Sequence, residues 1–223
     1  MGQKVKLPKN RQRIDKSRSE AMQEPYLAIF STDLGWFGLW GSGRHIAGLT
    51  IGHASTEDVR EGVRRKCHAC GESPPMEETD WFPRLRQRLQ QYTHGIETDF
   101  EDCHVNVSDL TEFQQRVLES TCRIGYGSTV TYRQLAEQSG RPRAARAVGN
   151  VMASNRVPII IPCHRVVAAG GNWGGYSAPQ GVSLKQRLLQ MESEVVEKGT
   201  KTEGDKALKS RRVKESKSER VKK

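Results

Sequence analysis

One segment limits the fold of this chain more than any other: the apolar run Val157-Pro158-Ile159-Ile160-Ile161-Pro162. A short uncharged run bracketed by prolines predicts a buried strand. It delivers the chain straight into Cys163-His164-Arg165-Val166-Val167. A thiol directly after such a strand is held rigidly, and cationic Arg165 with nearby His164 would stabilise a thiolate, the nucleophilic form. A base needs orientation, and Glu192, further along the chain, is the candidate partner for His164. On spacing alone the Cys-His pair is equally compatible with a structural role.

The rest of the chain bounds what can surround this segment. Its 223 residues suffice for one large domain or two small ones. With 35% hydrophobic residues, 28% charged residues and a mean hydropathy of -0.70, part of it is expected to be unfolded. No apolar run approaches the roughly 20 residues that cross a bilayer. Residues 1–20 are basic and lack the apolar core of a signal peptide. The five cysteines, an odd number without an export signal, read as reduced thiols.

Charge is unevenly spread. The net +10 is concentrated in the two ends, +5 over residues 1–20 and +6 over 197–223, both read as disordered arms. From Gln138 to Met191 there is no Asp or Glu, but there are Arg141, Arg143, Arg146, Arg156, Arg165, Lys185 and Arg187. An acid-free stretch of this kind should attract polyanions.

Local signals divide the chain into arms at 1–24 and 196–223, an α/β region over 25–107 and a mostly helical region over 108–195. Tyr26 to Ser31 predicts a strand, and Trp36–Trp40 with His45–Ile51 a hairpin around Gly41-Ser42-Gly43. Ser55 opens a helix with Asp58 as its capping partner. Asp80 is expected to cap a second helix with Pro83 in its first turn, running to Tyr92. Phe100 to Val107 predicts another strand. Thr111 with Gln114, and Thr131 with Gln134, form capping boxes that open two helices. Pro142 is placed in the first turn of a third, reaching Ser154. The pair around Gly140 matches a helix-turn-helix, and the acid-free charge favours DNA as its partner. In the second helix Ala144, Ala145 and Gly149 are small, which suits either close approach to a groove or tight helix packing.

Pro162-Cys163-His164-Arg165-Val166 resembles the active-site signature of the 6-O-alkylguanine-DNA alkyltransferases, the methylated-DNA–protein-cysteine methyltransferases. The resemblance extends to Asn155, to Val130-Thr131-Tyr132-Arg133-Gln134-Leu135-Ala136, to Ala144-Ala145-Arg146-Ala147-Val148-Gly149, to Tyr176-Ser177, and to Leu184-Lys185 through Glu192. It is strong over residues 110–193, weaker over 25–107, and covers neither arm. It implies an α+β fold: a small ribonuclease H-like α/β domain followed by a winged helix-turn-helix alkyltransferase domain. It implies direct, irreversible repair of 6-O-alkylguanine by transfer of the alkyl group to Cys163, and leaves 4-O-alkylthymine open as a second lesion.

The resemblance also implies roles. His164, through a water and held by Glu192, would take the thiol proton; Tyr132 would protonate the leaving guanine, with Lys185 assisting. Ser177 would bond near the alkylated oxygen, the Cys163 and Val166 backbone would accept from the exocyclic amine, and Asn155, Pro158 and Tyr176 would complete the substrate site. A monomer would enter the minor groove of double-stranded DNA with the target nucleotide flipped out. Arg146 would fill the gap, with Arg143, Ala144, Ala145, Gly149, Asn150 and Arg165 at the DNA. No cofactor, metal or membrane is implied; the location would be the nucleoid-containing cytoplasm of a prokaryote or the nucleus of a eukaryote. Two departures stand out: Arg156 replaces a proline often found after the asparagine, and Gln180-Gly181 lengthen the loop after Ser177. Cys67-His68-Ala69-Cys70 with Cys103-His104 offers a zinc site, but one CxxC without a second pair reads better as a helix end and a strand cysteine. Two other functions compete: a lesion sensor that binds without transfer, against which Cys163 argues, and a Cys-His hydrolase, which leaves the helix-turn-helix unexplained.

Overall fold

The computed structural model describes residues 25–197, except 72, 76, 106 and 108. The arm read over 1–24 and residues 198–223 of the other arm lie outside the described residues; residues 196–197 continue the last helix instead of opening a tail.

Three strands, β1 (Tyr26–Thr32), β2 (Gly35–Ser42) and β3 (His45–His53), form an antiparallel meander. Alternation sends Leu27 and Trp40 to one face and Ala28, Phe30, Phe37 and Leu39 to the other. Each face is then covered. The helix α1 (Thr56–Ala69), capped by Ser55 as its sequence predicts, lays Val59, Val63 and Cys67 on Leu27 and Trp40. Gly38 permits this: a Cβ there would lie 2.5 Å from Val59. The helix α2 (Pro83–Thr93) buries Leu85, Leu89 and Tyr92 in the larger cluster on the opposite side. Short strands close both edges, β4 (Glu77–Glu78) parallel to β1 and β5 (His104–Val105) parallel to β3.

The helical half holds α3 (Glu112–Cys122), α4 (Tyr132–Gln138), α5 (Ala145–Ala153) and a last helix, α6, over residues 182–197. Both predicted capping boxes are present: Thr111 and Thr131 accept from the backbones of Gln114 and Gln134, whose side chains reach back. Phe113, Val117 and Leu118 of α3, Leu135 of α4, Val148 of α5 and Leu184 and Leu188 of α6 join the cluster that contains Phe37, Leu39 and Leu49 of the sheet. One apolar core therefore runs through both halves. The architecture is α+β, as the sequence implies. Among the described residues no helix is long and apolar enough to cross a membrane.

Four local expectations need correction. Asp80 does not cap α2; Phe82 holds that position, and Asp80 accepts from Arg86 Nε at 2.9 Å. The predicted strand over 100–107 is reduced to the two residues of β5. Pro142 precedes α5 instead of starting it: Arg141 to Ala144 close a turn by a 2.9 Å bond from Ala144 N to Arg141 O. Arg143 and Ala144 consequently lie before the helix. The fourth correction concerns the run before Cys163 and belongs to the site.

Candidate active site

The apolar run 157–162 is a compact turn, not a strand. Pro158 and Ile161 form an isolated bridge, Ile161 N donates to Val157 O at 2.9 Å, and Ile159 takes a φ of +71°. The cause is Asn155. Its Oδ1 accepts from Val157 N at 3.1 Å while its Nδ2 donates to Ile161 O at 2.9 Å and to Cys163 Sγ at 3.1 Å. One amide side chain thus ties the turn's two ends to each other and to the thiol, which strand pairing by a proline-interrupted segment cannot do as well.

Cys163 then starts a single 3-10 turn, Cys163–Arg165, and β7 (Val166–Val167) pairs in parallel with β6 (Val130–Thr131). That two-residue pairing sets Tyr132, the next residue after β6, beside the thiol turn. The Tyr132 ring is half-buried, and its hydroxyl is pushed above its usual range by burial and by Cys163. Gly174, at φ +72°, passes against this ring; a Cβ would lie 2.9 Å from it. Lys185 is fully buried, donates to Val166 O at 2.6 Å, and sits 5.9 Å from the Tyr132 ring centre. Burial pulls its ammonium down to about 8.

Behind Cys163 lies a closed polar knot. Glu192 Oε1 accepts from His164 Nε2 at 3.0 Å, Tyr92 Oη at 2.6 Å and Arg165 Nη2 at 2.8 Å. Its Oε2 accepts from Arg165 Nε at 3.0 Å and from Gly127 N at 3.1 Å. Burial alone would raise the carboxyl, but His164 and Arg165 outweigh it and hold Glu192 at about 2. An ionised carboxylate only accepts, so His164 Nε2 carries the proton and Nδ1 keeps its lone pair. Nδ1 is buried and has no protein partner. Burial holds the imidazole below its usual pKa and the Cys163 thiol above its own, the latter opposed by Asn155, Lys185 and Lys66. At neutral pH the pair is therefore a neutral thiol beside a neutral base.

Arg165 is where the sequence reading fails most clearly. Its guanidinium is committed to Glu192, donates to Ile124 O at 2.7 Å and lies over the Tyr126 ring, so it is neither a DNA contact nor a partner of the thiolate. The acid-free stretch shrinks accordingly. Lys185 is buried, Arg156 pairs with Asp109 at 2.6 Å, and Arg187 bonds Gln180 and Asp33 O. Arg141, Arg143 and Arg146 remain exposed around the start of α5. Arg146 and Asn150 project from α5, Ala144 and Ala145 are half-buried, and a Cβ on Gly149 would meet nothing within 4 Å. Tight packing therefore does not require glycine at 149.

A pocket opens on Cys163, walled by Asn155, Pro158, Tyr176 and Ser177. It groups four predicted substrate residues; Val166 and Lys185 are not part of its lining. The lengthened loop is pinned, since Gln180 Nε2 donates to Gly52 O at 2.8 Å and Leu34 O at 3.3 Å. Two participants escaped the sequence reading. Tyr92 completes the Glu192 knot from 100 residues away, and Lys66 of α1 reaches the pocket wall from the sheet half. No local motif marks either; only the fold brings them in. Among the described residues no three His, Cys, Asp or Glu gather as metal ligands would. Cys67 and Cys103 pack against different apolar clusters.

Comparison with known proteins fits this geometry. The family profile of the 6-O-methylguanine DNA methyltransferase DNA-binding domain matches residues 112–194. The chain is 37% identical over 132 residues to the methylated-DNA–protein-cysteine methyltransferase of Methanothermobacter thermautotrophicus, covering 59% of this chain and 69% of that one. It is 36% identical over 141 residues to that of Metallosphaera sedula, covering 63% and 85%. Among solved structures it resembles Mycobacterium tuberculosis OGT in complex with DNA, with 30% identity, a TM-score of 0.61, and coverage of 76% of this chain and 94% of that one.

Proposed function

The chain belongs to the methylated-DNA–protein-cysteine methyltransferase family, and we propose that Cys163 is where its chemistry ends. The protein binds DNA and repairs 6-O-alkylguanine in it by direct reversal. The observation that carries the assignment to Cys163 is its thiol, held by Asn155 at the pocket and backed by a neutral imidazole whose far nitrogen is fixed on Glu192.

His164 Nδ1, through a bridging water, takes the thiol proton. Sγ attacks the alkyl carbon, the bond from that carbon to the guanine oxygen breaks, and its electron pair leaves with the guanine. Tyr132 supplies a proton to the departing ring, and Lys185 keeps the Val166 carbonyl and the Tyr132 ring in place. Val166 O retains a second lone pair for the exocyclic amine, and Ser177 bonds near the alkylated oxygen. A thioether has no easy route back to a thiol, so each molecule reacts once.

The reacting carbon is inside the base stack, so the nucleotide is flipped out, with Arg146 filling the gap. The small residues Ala144, Ala145 and Gly149 suit the narrow minor groove, and the exposed Arg143 and Asn150 flank them. We place the division between the sheet region and the alkyl-acceptor region, 25–107 and 108–195, in the segment after β5. The groups invoked suffice within one chain, and a monomer is the state proposed. The test compares single-turnover rates of Arg146→Ala on alkylated duplex and on free alkylguanine base. Extrusion costs a few kcal/mol and the free base needs none, so the duplex reaction alone should slow. Equal losses on both would assign Arg146 to chemistry or folding.

A further inference from the structure

The pocket on Cys163 has one charged wall. Besides the thiol its lining is neutral, Asn155, Pro158, Tyr176 and Ser177 included, except for Lys66 from the last turn of α1. Among the described residues Lys66 Nζ makes one hydrogen bond, to Leu49 O at 3.0 Å, and no ion pair. Its ammonium is lowered to about 8, mainly by burial, and so is still charged at neutral pH. The other lysine near the thiol, Lys185, is turned to Val166 O and does not line the pocket. Lys66 is half-buried, and a partly desolvated charge without a counter-ion favours the arrival of an anion.

We propose that Lys66 makes this pocket an acceptor for alkyl groups that end in a carboxylate, 6-O-carboxymethylguanine being the smallest. The inference rests on the reading of Cys163 as acceptor. A carboxylate on the carbon under attack repels the incoming thiolate, and inside a pocket that repulsion is weakly screened. An ammonium beside both relieves it. The Sγ–carbon bond forms, the carbon–oxygen bond breaks with its pair leaving on the guanine oxygen, and guanine takes up one proton. The product is S-carboxymethylcysteine with its carboxylate on Lys66.

The test uses the full chain in single-turnover reactions with duplexes carrying 6-O-methylguanine, 6-O-carboxymethylguanine, or the neutral carbamoylmethyl analogue. The readout is the ratio of carboxymethyl to carbamoylmethyl transfer within each protein. That ratio cancels changes in thiol reactivity and in folded fraction. Lys66→Met should lower it at least about tenfold, the usual scale for a desolvated charge losing its partner, and Lys66→Arg should restore most of it. An unchanged ratio in Lys66→Met, with methyl transfer intact in the wild type, overturns the proposal alone. A wild-type protein that transfers no methyl group overturns the Cys163 reading and this proposal with it.

Discussion

On α1, in the sheet half, Arg60 and Arg64 pair with Glu57, Glu61 and Glu78 in open solvent; in the helical half Glu192 and His164 meet with no exposure at all, beside an Arg165 side chain only 10% exposed. The two halves carry similar chemistry to opposite ends. Exposed pairs are screened and contribute little to stability. A buried carboxylate with five donors aimed at it is expensive to assemble and worse to break. A protein keeps such a knot where geometry matters, and this one fixes the tautomer of the residue beside the thiol.

Three substitutions sharpen that contrast. Glu192→Gln should have the largest effect, since it leaves the Arg165 guanidinium buried without its anion: about 3–5 kcal/mol by urea unfolding, with alkyl transfer severely slowed. If it unfolds like the wild type, the knot is not what holds the helical half. Tyr92→Phe removes one charge-assisted bond to Glu192 while keeping the ring, and should cost about 1.5–3 kcal/mol. Glu57→Gln on α1 should leave the unfolding midpoint within error of the wild type. A loss there comparable to that of Tyr92→Phe would erase the distinction between the halves.

Acid gives the same contrast without mutation. His164 is held neutral by burial, so the unfolded chain binds a proton that the folded chain refuses once pH drops below the ordinary histidine value. Glu192, depressed to about 2, contributes stability that is present above the ordinary carboxylate pKa and lost as pH falls towards 2. Stability measured by denaturant should therefore begin to fall below roughly pH 6.5 and fall further through the carboxylate range. A flat profile from pH 7 to 4 would mean that His164 is not buried as a neutral ring.

What could be read beforehand follows from how far apart the cooperating residues lie. The meander, α1 and both capping boxes depend on neighbours within a few positions, and each stands where its sequence puts it. Cys163, His164, Glu192, Asn155 and Tyr132 were identifiable through a resemblance in motif, and the structure brings them together. The turn at 157–162 departs from the expected strand because its apolar pattern suits either; only the Asn155 amide, reaching both ends, decides between them. Arg165 looked like a surface cation because sequence shows charge without showing its partner, 27 residues away. Tyr92 and Lys66 carry no local signal, and enter the site only because the sheet half packs onto the helical half through a shared core.

The central claim is that Cys163 accepts the alkyl group and is consumed in doing so. Intact mass and peptide mapping after reaction with a 6-O-methylguanine duplex in excess test it directly. One added methyl group per chain is expected, on the peptide that contains Cys163, and none on Cys163→Ala, which should still bind the duplex. A methyl group on another residue, or continued demethylation by protein present in less than stoichiometric amount, would contradict it.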